Sequence, residues 1–397
     1  MNRRILFVAA GLAQAPAIRD ARAAGYEVAA MDGDAGAPGF RDAARAYVAN
    51  ILDAAEIVRC AREFGAHGIA SVCCDVAMEA VAVAVRELGL PGIAPEVVAV
   101  SRSKVQQRER IAAAGLPVPQ FSIVRTPGEA RAAWDRLELG AGVIKPVDAS
   151  GSRGVSYVET RDRVEPAFLA AVENSKSGAV LVESFVPGIE YSVEAWVTGS
   201  KIHLFATSQK VRTPPPSLLD RQVHFPDDLS AEKRHAMIDH AFRAITACGF
   251  RDCPVHLECI DSAEGPMVVE LAARGAGFKV FTEILPRVTG VSTALASVHA
   301  SLGRTPELRP SGAGTAASLV FIDPVPGIFE RAEGVEAARA LPGVSEIAIY
   351  PKPGQRLHEL RSGADRAGHI LAYDPDPARC RATALEALAA IRLVTRS

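Results

Sequence analysis

The spacing of hydrophobic and polar positions alternates in a regular order over the first ninety residues. Residues 4–10, RILFVAA, form an apolar run of strand length, with a turn at Gly11. Helix-period sequence fills 14–24 and stops at Gly25. YEVAAMD makes a second strand, with Asp32 at its C-terminal end. A helix over 53–64, a strand GIASVCC and a helix over 77–88 continue the alternation. This order predicts a parallel sheet with helices on both faces. Ligands of such sheets collect over the strand C-termini, here near Gly11, Asp32 and Asp75. The first turn has one glycine and no G-x-G-x-x-G order, so a dinucleotide cofactor gains little support.

Beyond residue 100 the pattern changes. Ser101 to Ala114 reads as a helix opened by SRSK, and prolines 117 and 119 break it. GVIKPVDASGSRGVSYV gives two β-rich runs around a glycine turn, and AVLVESFVPGIEYSVEAWV gives two more strands. The proline-rich stretch 211–228 reads as a long lid-like loop. A helix at 231–248, a hairpin within 255–272 and a helix at about 280–302 follow. Residues 315–397 read as a small α+β lobe ending in an Ala-rich helix. Four segments result: 1–103, 104–184, 185–312 and 313–397.

The hairpin raises a question of chemistry, because Glu270 interrupts an apolar strand. A turn centred on Glu264 would set Glu258 directly opposite Glu270, with Cβ atoms roughly 4.5–5.5 Å apart. Facing carboxylates repel unless a cation joins them, and Mg²⁺ suits, completing its shell with water and phosphate oxygens. A slip of one residue would send the two acids to opposite faces and leave ordinary surface glutamates. Lys145 lies inside the apolar strand GVIKP, where an ammonium needs an anionic partner. The following loop carries Ser150, Gly151, Ser152 and Gly154, whose backbone N–H groups either cover phosphates or make a plain turn.

Composition removes other classes. The 397 residues are 49% hydrophobic and 23% charged, with net charge −2, so neither nucleic acid nor an anionic membrane is expected as partner. The seven cysteines lack zinc-type spacing and suit buried thiols. No apolar stretch approaches about eighteen residues, and the N-terminal run turns amphipathic too early for a signal peptide. A soluble cytoplasmic protein is expected.

Taken in order, these stretches resemble the ATP-grasp superfamily, and within it the carboxylate–amine ligases of the L-amino acid (dipeptide) ligase and carnosine-synthase-like group. The resemblance runs along SK…RERIAAAGLPVPQF, VIKPVDASGSRGV, VLVESFVPGIEYSVE and the two hairpin glutamates. It implies an α/β ATP-grasp fold with an N-terminal parallel-sheet domain and a small C-terminal α+β lobe. It implies Lys104 and Lys145 as nucleotide-phosphate lysines beneath a flap formed by Ser150, Gly151, Ser152 and Gly154. Glu183, Phe185 and Val186 would meet adenine, and Glu190 the ribose. Glu258 and Glu270 would hold two Mg²⁺ ions, with Mn²⁺ as a substitute. Ala272 stands where many relatives have asparagine, so the metals would have one side-chain ligand fewer. Arg274 matches the arginine of E-x-x-x-R that binds substrate carboxylate and acyl-phosphate.

His224, in QVHFPDDLS, and Lys210 join as candidates for substrate and phosphate contact, against a functionless loop histidine and a solvated lysine. Glu194 reads as an exposed strand carboxylate or a substrate-amine contact. His256 reads as a core histidine or a group behind the metal. Asp75 and Glu79 read as helix-capping acids or as amino-group contacts. The activity implied is ATP-dependent amide formation between a small-molecule carboxylate and an amine, through an acyl-phosphate, releasing ADP and phosphate. Homodimerisation enters by the same analogy. The rivals are an ATP-grasp ligase of purine or carboxylation metabolism, and a nucleotide-binding module without catalysis.

Overall fold

The computed structural model describes residues 3–149, 151–311 and 314–396. The N-terminal sheet is parallel, ordered Arg45–Val48, Glu27–Asp32, Arg4–Val8, Gly68–Ala70. Its central strand is apolar throughout because it is covered twice. Ile5 and Phe7 enter one core, and Leu6 and Val8 enter another. Helices Ala15–Ala23, Ala54–Phe64 and Met78–Glu87 occupy the expected positions. At the end of the second strand the Asp32 carboxylate accepts from Ala10 N at 2.7 Å and Asp34 N at 3.0 Å, tying the loop.

A second sheet, ordered Phe121–Val124, Val180–Ser184, Gly142–Pro146, Ser156–Val158, packs on helices Pro127–Arg136 and Val164–Val172 around Trp134, Ile144 and Phe168. The largest sheet is antiparallel and eight-stranded. It runs Gly265–Ala272, Cys253–Ser262, Ile189–Thr198, Lys201–Arg212, Asp220–Phe225, Ala316–Ile322, Gly368–Asp374, Val344–Ile349. It therefore draws strands from both the 185–312 and the 313–397 segments. Helix Ala231–Cys248 covers one face, where Met237, Ala241 and Ile245 meet Val193, Val197, Leu257 and Leu271. Ser230 caps this helix by accepting from Lys233 N at 3.3 Å. A three-stranded sheet, Arg356–Leu357, Gly327–Glu333 and Arg392–Arg396, completes the fold.

Three sequence expectations change. Residues 211–228 are mostly strand rather than loop: Asp220–Phe225 pairs with Lys201–Arg212 and with Ala316–Ile322, and only 213–219 connect. The prolines 214, 215 and 216 fall in that connection, where no ladder hydrogen bond is needed. The helix expected over 101–114 runs from Lys104 to Ala113, divided from a preceding helix Pro95–Ser101, because the Ser103 side chain caps it by accepting from Gln106 N. The 280–302 helix is likewise divided, into a π turn Val280–Ile284, Leu285–Thr289 and Thr293–Ser301, with Gly290 ending the middle piece in a left-handed conformation. Among the described residues no helix is long and apolar enough to cross a membrane.

Candidate active site

The hairpin places Glu258 directly opposite Glu270, as its sequence predicts, but by another route. Ser262 pairs with Gly265, so the turn is one step tighter than a centre at Glu264. Continued without interruption, that register would pair Glu258 with Val269. The register shifts between Glu258 and Cys259, leaving Val269 unpaired as a bulge and bringing Glu270 into line.

Period-two alternation then builds one polar face. On Ile189–Thr198 the even positions Glu190, Ser192 and Glu194 share a side, while Val193 and Val197 enter the core. On Cys253–Ser262, His256 and Glu258 stand beside Glu194 and Ser192. Gly188 leads into this face at φ 152°, and a Cβ there would lie 2.4 Å from the Asp261 carbonyl.

Lysines neutralise the acids. Lys104 Nζ lies 2.9 Å from Glu270 Oε1 and donates to the Ala149 carbonyl at 2.7 Å. Lys210 is buried rather than solvated. Its Nζ lies 3.0 Å from Glu190 Oε1 and 3.4 Å from Asp220 Oδ2, and it forms a short ion pair with Glu258 Oε1. Burial would push the Glu258 carboxyl up, but Lys210 and then His256 hold it well below the usual range. Arg212 pairs with the other oxygen of Glu190. Lys145 pairs closely with Glu183, and the fully buried Arg108 meets the same carboxylate at 3.2 Å. Arg108 also donates to the carbonyls of Val268 and Val269, at 3.0 and 2.8 Å, so it clamps the bulge itself.

A cleft runs between the second sheet and the eight-stranded one, lined by Lys104, Lys145, Glu183, Phe185, Val186, Glu190, Glu258 and Glu270. Gly151 and Ser152 line it from above and also line an adjoining chamber. Ser150, expected in the same flap, lies outside the described residues. Gly154 faces inward, and a Cβ there would lie 3.0 Å from Asn174 Cβ and from Pro146 Cγ.

The chamber holds Asp75, Glu194, His256 and Arg274. Asp75 does not cap a helix. It accepts from Arg274 Nε at 2.6 Å, joining the N-terminal domain to the hairpin, while Glu79 pairs with Arg102. Glu194 is buried, not exposed, and holds His256 Nδ1 at 2.6 Å. Burial would lower the imidazole, but Glu194 lifts its pKa to about 9, so His256 is a cation behind Glu258.

His224 is the candidate that the structure sets apart. Val223 faces the chamber, so His224 points to the opposite side, where Nδ1 lies 3.0 Å from Ser318 Oγ and Nε2 2.8 Å from Gln222 Oε1. Burial lowers its pKa to about 4. Its folded value lies below the ordinary 6.5, so stability is complete above pH 6.5 and falls as pH drops towards 4. Over this window the protein is expected to lose up to ~3 kcal/mol more than His224→Asn does, read by urea denaturation at pH 7, 5.5 and 4.5. Parallel pH profiles would remove this assignment.

Sequence reasoning missed Arg108, Asp220, Arg212 and Arg366. A signal existed for Arg108, which stands three residues before the core Ile111 and four after Lys104 on one helix face.

Comparison with known proteins adds a consistent picture. Residues 141–282 match the ATP-grasp domain family, and 320–396 match the L-amino acid ligase C-terminal domain 2. The chain is 28% identical to carnosine synthase 1 of Homo sapiens over 251 residues, 58% of this chain and 30% of that protein. It is 27% identical to formate-dependent phosphoribosylglycinamide formyltransferase of Burkholderia thailandensis, over 99% of this chain and 96% of that one. The chain spans less than two thirds of the length of the first curated relatives it matches. Its fold superposes on the crystal structure of L-amino acid ligase from Bacillus licheniformis with a TM-score of 0.85 at 22% identity, covering 100% of this chain and 99% of that one.

Proposed function

The chain belongs to the ATP-grasp superfamily, and on that premise we propose that it is an ATP- and Mg²⁺-dependent ligase joining a small-molecule carboxylate to an amine. One observation carries the reading. Two carboxylates face each other across a ribbon, each against an ammonium from a different element, where a lysine-lined cleft opens into a polar chamber.

The donor set fits a metal brought in with a nucleotide. Among the described residues no three acid, imidazole or thiol side chains converge on one point, so the protein alone offers an incomplete shell. No hydrogen bond among them reaches the second oxygen of Glu258 or of Glu270. Phosphate oxygens and water would fill the remaining positions. Held there by Glu258 and Glu270, the metal would neutralise charge on the transferring phosphoryl group.

The chain's own residues supply the rest. Lys104 and Lys145 from the cleft and Lys210 from the chamber offer ammoniums to phosphate, and Phe185 and Val186 line the adenine end of the cleft. Glu190 takes the ribose hydroxyls. The substrate carboxylate attacks the γ-phosphorus, giving acyl-phosphate and ADP. The amine then attacks the carbonyl carbon, sheds a proton, and expels phosphate. Arg274, oriented by Asp75, faces the developing oxyanion. Gly151 and Ser152 of the flap cover the junction of cleft and chamber and keep water from the acyl-phosphate.

Arg274→Gln is expected to lower ligation by about 10²- to 10³-fold while nucleotide affinity stays unchanged, measured by coupled ADP release and by titration with Mg·ADP. Lost nucleotide affinity would show that Arg274 serves the cleft rather than the chamber. The function itself is tested by phosphate release with amino acids singly and in pairs, with mass spectrometry of the products. Equal amounts of ADP and phosphate, dependent on the amine and free of AMP, are expected. AMP formation, or turnover indifferent to every acid and amine, would end the proposal.

A further inference from the structure

Arg366 enters the chamber from the C-terminal segment and is 6% exposed. Its guanidinium carbon lies 3.6 Å from the centre of the Phe321 ring and 4.5 Å from that of Phe278. Nη2 donates to the Asp220 carbonyl at 2.7 Å. Nε and Nη1 have no hydrogen-bond partner among the described residues, and no described carboxylate forms an ion pair with Arg366.

A buried cation is ordinarily matched, as Arg108, Lys145 and Lys210 are here. The aromatic contacts stabilise the guanidinium without using its N–H groups. The backbone at one of these rings is strained: Phe278 and the following Lys279 have φ of 47° and 65°, a region that bulky residues avoid. Backbone strain of this kind gathers where a ligand is held.

We propose that Arg366 is the receptor for a second carboxylate, one that the reaction leaves intact and that the amine substrate carries. This rests on the ligase reading above and adds that the acceptor is itself an acid. A planar guanidinium with open N–H groups fits a carboxylate through charge-assisted hydrogen bonds. The carboxylate to be activated must meet the phosphoryl group at Glu258 and Glu270, which leaves Arg366 to the other substrate.

The test uses the full chain with Mg·ATP and the twenty L-amino acids in pairs. At each substrate position the amino acid is then exchanged for its carboxamide and its decarboxylated amine, with wild type, Arg366→Met and Arg366→Lys. Wild type is expected to lose about 100-fold in kcat/KM when the acceptor lacks its carboxylate. Arg366→Met should show the same loss with the intact acceptor at an unchanged KM for ATP, and Arg366→Lys should recover part of it. Equal use of amides and amines, or an unaltered acceptor KM in Arg366→Met, overturns the proposal. So does a dependence on Arg366 confined to a second carboxylate on the activated acid. If no pair releases phosphate, the ligase reading fails, and melting of the Mg·ADP-loaded protein decides for Arg366. Amino acids, and not their amides, should then raise the Tm of wild type and not of Arg366→Met; equal shifts, zero included, overturn it.

Discussion

Glu270→Ala is expected to lower substrate-dependent ADP release by about 10³-fold or more while the fold survives. The two effects separate because Glu270 is about a third exposed and has one ionic partner among the described residues, Lys104. Such a pair contributes about 1 kcal/mol or less to stability once solvent screening is counted. For phosphoryl transfer the same carboxylate counts far more. It is half of the only side-chain pair proposed for the metal, and several kcal/mol of transition-state charge stabilisation depends on that metal. Each ~1.4 kcal/mol is a factor of ten in rate. Single-turnover ADP formation, with circular dichroism on the same sample, measures both. Turnover at the wild-type rate would remove the metal assignment, and loss of folded signal would mean that Glu270 is structural.

The reverse is expected at Arg108. Its side chain is wholly buried, bonded to Glu183 and to two bulge carbonyls. Arg108→Met keeps the stem but strands part of the Glu183 charge, which then has Lys145 alone, and leaves two carbonyls without donors. Breaking a buried pair from one side costs about 3–5 kcal/mol. Urea denaturation reads it directly. Arg108→Lys should recover little, because an ammonium cannot span a carboxylate and two carbonyls at once. A change below about 1 kcal/mol in Arg108→Met would show that the cluster is solvated and that the clamp is not needed.

What the sequence discloses here follows the range of each interaction. The N-terminal helices and strands come through because their periodicity is local and the apolar run of Arg4–Val8 admits one reading. The facing glutamates emerge from the hairpin's length, although a tighter turn and a bulge lie behind the result. The strand Asp220–Phe225 stays hidden because the prolines before it suggest a loop, and its partners are distant in sequence. With that strand unseen, the side on which His224 stands is unseen too. Arg274 is visible as a charge but Asp75 as its partner is not, since 199 residues separate them. Ion pairs between lobes leave no periodic trace. Arg366 has not even a carboxylate partner among the described residues to suggest it.

The unpaired Val269 makes this ribbon a matter of odd and even numbers. Flush pairing about its two-residue tip joins positions whose numbers sum to an odd value, whereas 258 and 270 sum to an even one, so a single surplus residue reconciles them. The outer part of the ribbon can thus lengthen by matched additions, one to each arm, with both acids left in place. A solitary insertion or deletion there must be absorbed in the tip or by a new irregularity. Otherwise it rotates one acid away from the cleft, and a change of chain length too small to disturb the fold would silence the proposed ligation.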